Sequence, residues 1–309
     1  MKIVLIGQSA FGAETLKRIK FQNKIIGVFA PYQNNSCLKD PIEETAEELQ
    51  IKTFTFPKLR SDKAIKSFKN LNPDLCVMAY VTEIVPDEII SLPKFGTIQF
   101  HPSLLPKHRG PSSINWPIIN GEKRTGISIF YPDKGLDTGP ILIQKKIAID
   151  QNDSVGSLYF KKLFPLGIDA IVEAINQIKL GNSKPKIQDE KMATYEGWCN
   201  EKHTKINWES NVEIIHNLIR GSDPQPGAHT IYNTKQIFIY GSKKIIINQT
   251  KKFGSVSSIE KEGIRIACKE GEILFEKVRE KNGKKISAFE WSKISNLKIG
   301  DVFLTNKNT

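Results

Sequence analysis

Two short stretches, His101 to Gly110 (HPSLLPKHRG) and Gly135 to Gly139 (GLDTG), set one histidine and one aspartate in turn-rich loops about 35 residues apart. An imidazole can donate a proton or a hydrogen bond to a developing oxyanion, and a carboxylate beside it can orient the ring or accept a proton. His101 directly follows the apolar run Gly96 to Phe100. That places it at the carboxyl end of a strand, where an open α/β sheet presents its active groups. Asp137 sits between two glycines after the apolar run Ile127 to Tyr131 and is placed to reach the same crevice. A histidine taken alone is more often structural. Here Pro102 and Pro106 stiffen the loop, and Arg109 to Ser113 carry it toward a helix start.

The elements that must hold these loops are legible as alternating short apolar runs and amphipathic stretches over the first 180 residues. Lys2 to Ile6 and Lys24 to Phe29 read as buried strands flanking a helix from about Phe11 to Lys20, a βαβ unit. Leu75 to Ala79, Gly96 to Phe100 and Ile127 to Phe130 add strands, and one long helix is expected over about Ser154 to Leu180, ended by Gly181-Asn182. The pattern predicts a Rossmann-like, mostly parallel sheet domain over residues 1–181. A polar stretch with Pro185 predicts a linker at 182–208. Over 209–309, a helix at about Ser210 to Arg220 is followed beyond Gly227 by an all-β texture. Its short strands are Gln236 to Tyr240, Lys243 to Asn248, Gly263 to Cys268 and Glu272 to Lys277, which predict a small barrel of the OB type.

The turn after the first strand, Gly7 to Gly12 (GQSAFG), lacks G-x-G-x-x-G, and no acidic residue ends the second strand. Its glycines read as a tight strand-to-helix turn, although an anion could rest on the helix amino terminus. The 309 residues, 39% hydrophobic, suffice for one large or two ordinary domains. No apolar run approaches the roughly 20 residues that span a bilayer, and no secretory signal is present, so a cytoplasmic protein without a membrane partner is expected. Four cysteines without C-x-x-C spacing predict free thiols and no metal. The formal charge is +12. The stretch Pro224 to Ser258 has no acidic residue but carries Lys235, Lys243, Lys244, Lys251 and Lys252, which suits a polyanion. A solvated face gives the same pattern.

HPSLLP followed by GLDTG resembles the 10-formyltetrahydrofolate-using formyltransferase family, and the similarity extends through ATYEG (Ala193 to Gly197), KINW (Lys205 to Trp208) and IHNLIRGSDPQPGA (Ile215 to Ala228). These last blocks look most like the amino-terminal hydrolase domain of 10-formyltetrahydrofolate dehydrogenase, and also like the linker and carboxyl-terminal domain of methionyl-tRNA formyltransferases. The resemblance implies the same Rossmann-like and OB-like pair of domains, and 10-formyltetrahydrofolate as co-substrate without a metal. It implies His101 and Asp137 as the catalytic pair, with Gln99 where the transferases carry asparagine and the hydrolase domain an apolar residue. Glutamine keeps the amide donor on an arm one methylene longer.

Folate contacts are implied for Met78, Ala79, Tyr80 and Val81 and for Pro132, Asp133, Gly135 and Leu136. Acceptor contacts are implied for Ser9, Phe11, Ser103, Arg109 and Gly110. The expected reaction is formyl transfer to an amine, first of all the amino group of initiator methionyl-tRNA. The alternatives are hydrolysis of 10-formyltetrahydrofolate and formylation of an amino sugar.

Overall fold

The structure, a computed structural model, describes residues 1–32, 39–248 and 250–305. The chain forms two compact units. One comprises 1–110, 126–146 and 161–195, the other 111–125, 147–160 and 196–309.

The first unit is built on a seven-stranded sheet of order β3-β2-β1-β4-β5-β6-β7. In chain order its elements begin β1 (Lys2–Gly7), α1 (Ser9–Lys20), β2 (Lys24–Pro31), α2 (Pro41–Glu48), β3 (Thr53–Phe56), α3 (Asp62–Leu71) and β4 (Leu75–Ala79). They continue α4 (Asp87–Ile90), β5 (Thr97–His101), α5 (Asn115–Ile119, in the second unit), β6 (Arg124–Phe130) and β7 (Ile141–Ala148). Strands β1 to β5 pair in parallel and β6 runs antiparallel to β5. The central strands read as unbroken apolar runs because both of their faces are covered; β4 is buried at all five positions. Strand order turns at β1/β4, which opens a crevice at the carboxyl ends of those strands.

The helix expected over Ser154 to Leu180 is real but not continuous. It begins as α6 (Val155–Leu158) behind a capping box made by Ser154 and Ser157. It passes through a π turn at Tyr159–Leu163 and resumes as α7 (Phe164–Lys179). Pro165 lies in the first turn of α7. It has no N–H to give the carbonyl one turn back, and its ring crowds that carbonyl, so a regular α ladder cannot run through this point.

The second unit contains α8 (Val212–Gly221), then β8 (Ala228–Tyr232), β9 (Lys235–Ile246), β10 (Val256–Glu260), β11 (Gly263–Cys268), β12 (Gly271–Glu280), β13 (Ile286–Ser287) and α9 (Ala288–Ile294). These strands form an antiparallel sheet of order β10-β11-β12-β9-β8, with β13 on β12. The runs Gln236 to Tyr240 and Lys243 to Asn248, expected as two strands, are joined through Gly241 into one strand that ends at Ile246. The segment beyond α9 bridges both outer strands: Leu304 pairs with Ile231 of β8, and Val302 pairs with Ser255 ahead of β10. The core so enclosed packs Trp208, Ile237, Phe275, Trp291 and Phe303, all nearly inaccessible. The helix α9 within a region expected to be all-β is a correction; Ser287 caps it by accepting from the Glu290 N–H at 3.0 Å.

Cys76 and Cys268 are buried and Cys199 is half-buried, all three as free thiols, while Cys37 lies outside the described residues. Burial pushes the Cys76 and Cys268 thiols up to about 12, which leaves both uncharged and unreactive at neutral pH. Among the described residues no helix is long and apolar enough to cross a membrane, and no group of three His, Cys, Asp or Glu side chains is gathered as a metal site.

Candidate active site

Strand β5 ends on His101, and the loop that follows folds back beneath the ring. The Nε2–H of His101 donates to the carbonyl oxygen of His108 at 2.8 Å. Because a carbonyl only accepts, that bond fixes the proton on Nε2 and turns Nδ1 toward Asp137. The gap from Nδ1 to Asp137 Oδ2 is 3.6 Å, and both side chains are 7% exposed. The same Oδ2 accepts the Gly110 N–H at 2.8 Å. The carboxylate is therefore held by backbone and the imidazole by a carbonyl, and neither depends on the other for its orientation. The pair faces across a space just too wide for a good direct hydrogen bond.

The loop carrying His101 is itself pinned. Ser103 Oγ donates to Lys107 O at 2.7 Å, and Ser128 Oγ on β6 donates to Ser103 O at 2.8 Å. Gln144 on β7 donates to Leu105 O at 2.7 Å.

The GLDTG loop needs its glycines for closeness. A Cβ at Gly139 would lie 1.8 Å from Tyr131 O, and one at Gly135 would lie 2.0 Å from Thr138 Oγ1. Asp137 itself is in the left-handed region at φ 57°, which aspartate tolerates better than most residues.

The residues predicted for the site fall into separate groups. His101, Asp137, Gly110 and Arg109 come together. Arg109 is buried, and its guanidinium donates to Glu190 at 2.6 and 2.9 Å, a contact that raises its pKa further. Gln99 shares the His101 face of β5, two residues back, is half-buried, and makes no side-chain hydrogen bond among the described residues.

Met78 and Ala79 are core residues of β4, whereas Tyr80 is 43% exposed with φ 61°. Tyr80 and Val81 line a cavity at the carboxyl ends of the strands together with Gly7, Gln8, Pro31 and Thr82. Neither His101 nor Asp137 lines it. Pro132 is half-buried and Asp133, Gly135 and Leu136 are exposed. Asp133 staples its own turn by accepting from the Gly135 N–H and the Thr138 hydroxyl.

Of the residues predicted to meet the acceptor, Phe11 is a core side chain stacked on Phe100 at 4.4 Å, and Ser103 is fully buried. The Ser9 N–H at the start of α1 donates to Asp40 Oδ1 at 2.7 Å. That buried carboxylate also caps α2 through the Ile42 N–H at 3.0 Å.

Sequence reasoning missed Asp40 and Gln188. Gln188 is buried in the stretch read as linker and donates to the carbonyls of Asp137 and Gly139 at 2.8 and 2.7 Å. An aspartate before proline at a helix start was the available signal for Asp40; a single glutamine in a polar stretch gives none.

The fold is a Rossmann-like α/β sheet with a histidine at the end of β5 facing a loop aspartate, and comparison with known proteins gives the family. The formyl transferase family model matches residues 1–175, and the model of the formyl transferase carboxyl-terminal domain matches 200–296. The chain belongs to the formyl transferase family.

It is 33% identical over 306 residues to a methionyl-tRNA formyltransferase of Clostridioides difficile (strain 630), covering 97% of this chain and 99% of that protein. It is 41% identical over 249 residues to the mitochondrial 10-formyltetrahydrofolate dehydrogenase of Homo sapiens, covering 78% of this chain and 27% of that protein. The chain thus spans under a third of the length of the dehydrogenases it matches. Among solved structures, an N-formyltransferase from Helicobacter canadensis in complex with folinic acid and dTDP-3-aminofucose superposes with TM-score 0.66. It is 22% identical and covers 93% of this chain and 100% of that one. At that identity the likeness concerns the fold.

Proposed function

We propose that the chain transfers the formyl group of 10-formyltetrahydrofolate to an amine, the first acceptor being the amino group of initiator methionyl-tRNA. The observation that carries the reading is the His101–Asp137 gap: two buried groups 3.6 Å apart, each held by other partners. In the reaction the amine attacks the formyl carbon, a C–N bond forms, and the carbonyl pair moves onto oxygen. With Nε2–H committed to His108, His101 can donate to that oxyanion from Nδ1 only as imidazolium, and the carboxylate opposite stabilises that charge. Asp137 is placed to take the proton the amine sheds, and the tetrahedral intermediate collapses as the bond to N10 breaks and N10 is protonated. The free amide of Gln99, on the His101 face, supplies a second donor for the oxyanion. A methionyl-tRNA formyltransferase matched across nearly its whole length supports the acceptor.

Asp40 weighs against an amino-sugar nucleotide. Its carboxylate already takes the Ser9 N–H at the turn where a phosphate would rest, and a second anion there would be repelled.

Hydrolysis of the same formyl group is the second reading, favoured by ion pairs in the second unit. Of the five lysines expected to meet a polyanion, Lys235 meets Glu280, Lys243 meets Glu276, Lys244 meets Glu213 and Lys251 meets Glu272. Paired charges attract phosphates less than free ones.

The test follows folate deformylation by purified protein with and without initiator methionyl-tRNA, using His101→Ala as the blank. Consumption that requires the charged RNA and yields the formyl-methionyl ester supports transfer. Equal consumption without RNA overturns the tRNA acceptor in favour of water.

A further inference from the structure

The stretch between α7 and Tyr195 is a strap that stitches the two loops of the candidate site together. Lys186 exchanges backbone hydrogen bonds with Ile141, at the end of the aspartate loop, at 2.8 Å each way. At the other end, Thr194 N donates to Pro106 O at 3.1 Å, Arg109 N donates to Thr194 O at 3.0 Å, and Thr194 Oγ1 accepts the His108 N–H at 2.8 Å. Between these ends Gln188 turns inward. Its Oε1 accepts from Arg109 Nε and Nη2 at 3.2 and 2.9 Å, and its Nε2 donates to the Asp137 and Gly139 carbonyls. Both donors and both lone pairs of the amide are used, and the residue is 6% exposed. Its orientation is forced: a guanidinium only donates, so the oxygen faces Arg109, which leaves the NH₂ for two carbonyls that only accept.

We propose that Gln188 is a positioning residue that sets the His101–Asp137 separation by clamping the aspartate loop to the histidine loop. The oxygen half of the amide grips Arg109, the neighbour of Gly110, whose N–H holds the Asp137 carboxylate. The nitrogen half grips the backbone of Asp137, which sits in a left-handed conformation that needs support from its surroundings. One side chain therefore fixes both the loop that carries Asp137 and the loop that aims it. Misplacing a reacting group by about 1 Å costs about 10²-fold in rate, and that is the loss expected when the clamp goes.

The inference rests on the reading that His101 and Asp137 carry the reaction. Its test compares kcat for 10-formyltetrahydrofolate deformylation and the dissociation constant for folinic acid in Gln188→Ala and Gln188→Glu. Thermal midpoints are recorded alongside. Glutamate keeps the shape and the acceptor toward Arg109 but turns a second oxygen on the two carbonyls, so a space-filling or Arg109-anchoring role is rescued by it and a clamp is not. The expected result is a kcat about 10²-fold lower in both variants with folinic acid affinity within about threefold. In an Asp137→Asn background, Gln188→Ala should cost less than about threefold more, because residues acting through one another are not additive.

Rescue by glutamate, or a full additive loss in the double variant, overturns the proposal. Loss of activity in His101→Ala with none in the Gln188 variants also overturns it while leaving the function standing. No loss in His101→Ala overturns the reading that His101 and Asp137 carry the reaction.

Discussion

Asparagine at position 137 removes the carboxylate charge while keeping nearly everything else about the side chain. Its Oδ can still accept the Gly110 N–H, so the loop geometry survives. On the proposed mechanism, what disappears is the attraction of the carboxylate for an imidazolium in the transition state, across the 3.6 Å that separates two side chains each 7% exposed. At an effective dielectric constant of about 20 that attraction is about 4 to 5 kcal/mol. A neutral amide oxygen in the same place retains part of it. With about 1.4 kcal/mol per decade of rate, the loss of transition-state stabilisation corresponds to a kcat lower by about 10²- to 10³-fold. The assay is tetrahydrofolate formation at saturating 10-formyltetrahydrofolate, with folinic acid binding and the denaturant midpoint measured on the same preparations. Binding and midpoint should stay close to wild type. A kcat within tenfold of wild type, or a defect confined to folate affinity, would refute the pairing of the two groups as the source of catalysis.

Leucine at Gln99 should lower amine formylation by about 10²-fold if its amide meets the oxyanion, the usual cost of one lost donor; an unchanged rate would mean the amide stays in solvent. Alanine at Gly139 puts a methyl 1.8 Å from Tyr131 O, so the loop must move, and activity should fall at least about 10²-fold while circular dichroism still reports a folded protein. Burial pushes the pKa of His216 below its ordinary 6.5; its ring accepts from Ser242 and donates to the Gln151 carbonyl. On acidification the unfolded chain takes up that proton first, so stability should fall as pH drops below about 6.5. His229, also lowered by burial, acts in the same direction. Denaturant midpoints at about pH 7.5 and about pH 5.5 should therefore differ less in His216→Gln than in wild type; equal differences would discount His216.

The central strands β1, β2, β4, β5 and β6 were legible because a strand covered on both faces must be apolar at nearly every position. The two edges of that sheet were not. β3 has no buried position and β7 carries Gln144, Lys145 and Lys146, since an edge strand is half in water and gains from charges that discourage further pairing. Helix α9 was missed although Ser287 and Glu290 are spaced as a helix start, because the surrounding glycines and β-branched residues favoured strands.

The same division runs through the site. His101 and Asp137 stood out in the sequence because the chemistry proposed for them, proton transfer at a carbonyl oxygen, demands particular residue types, and the structure brings the two side chains within 3.6 Å. The groups that give those two residues their geometry carry no such signature. A backbone carbonyl at His108, a backbone N–H at Gly110 and the amide of Gln188 could each be part of any turn, and only the tertiary fold brings them to the same few ångströms. Candidate reactive groups are therefore easier to single out in this sequence than the groups that hold them. On the proposed mechanism those supports govern the rate, because a histidine and an aspartate 3.6 Å apart can act together only if other hydrogen bonds keep them from collapsing together or drifting apart.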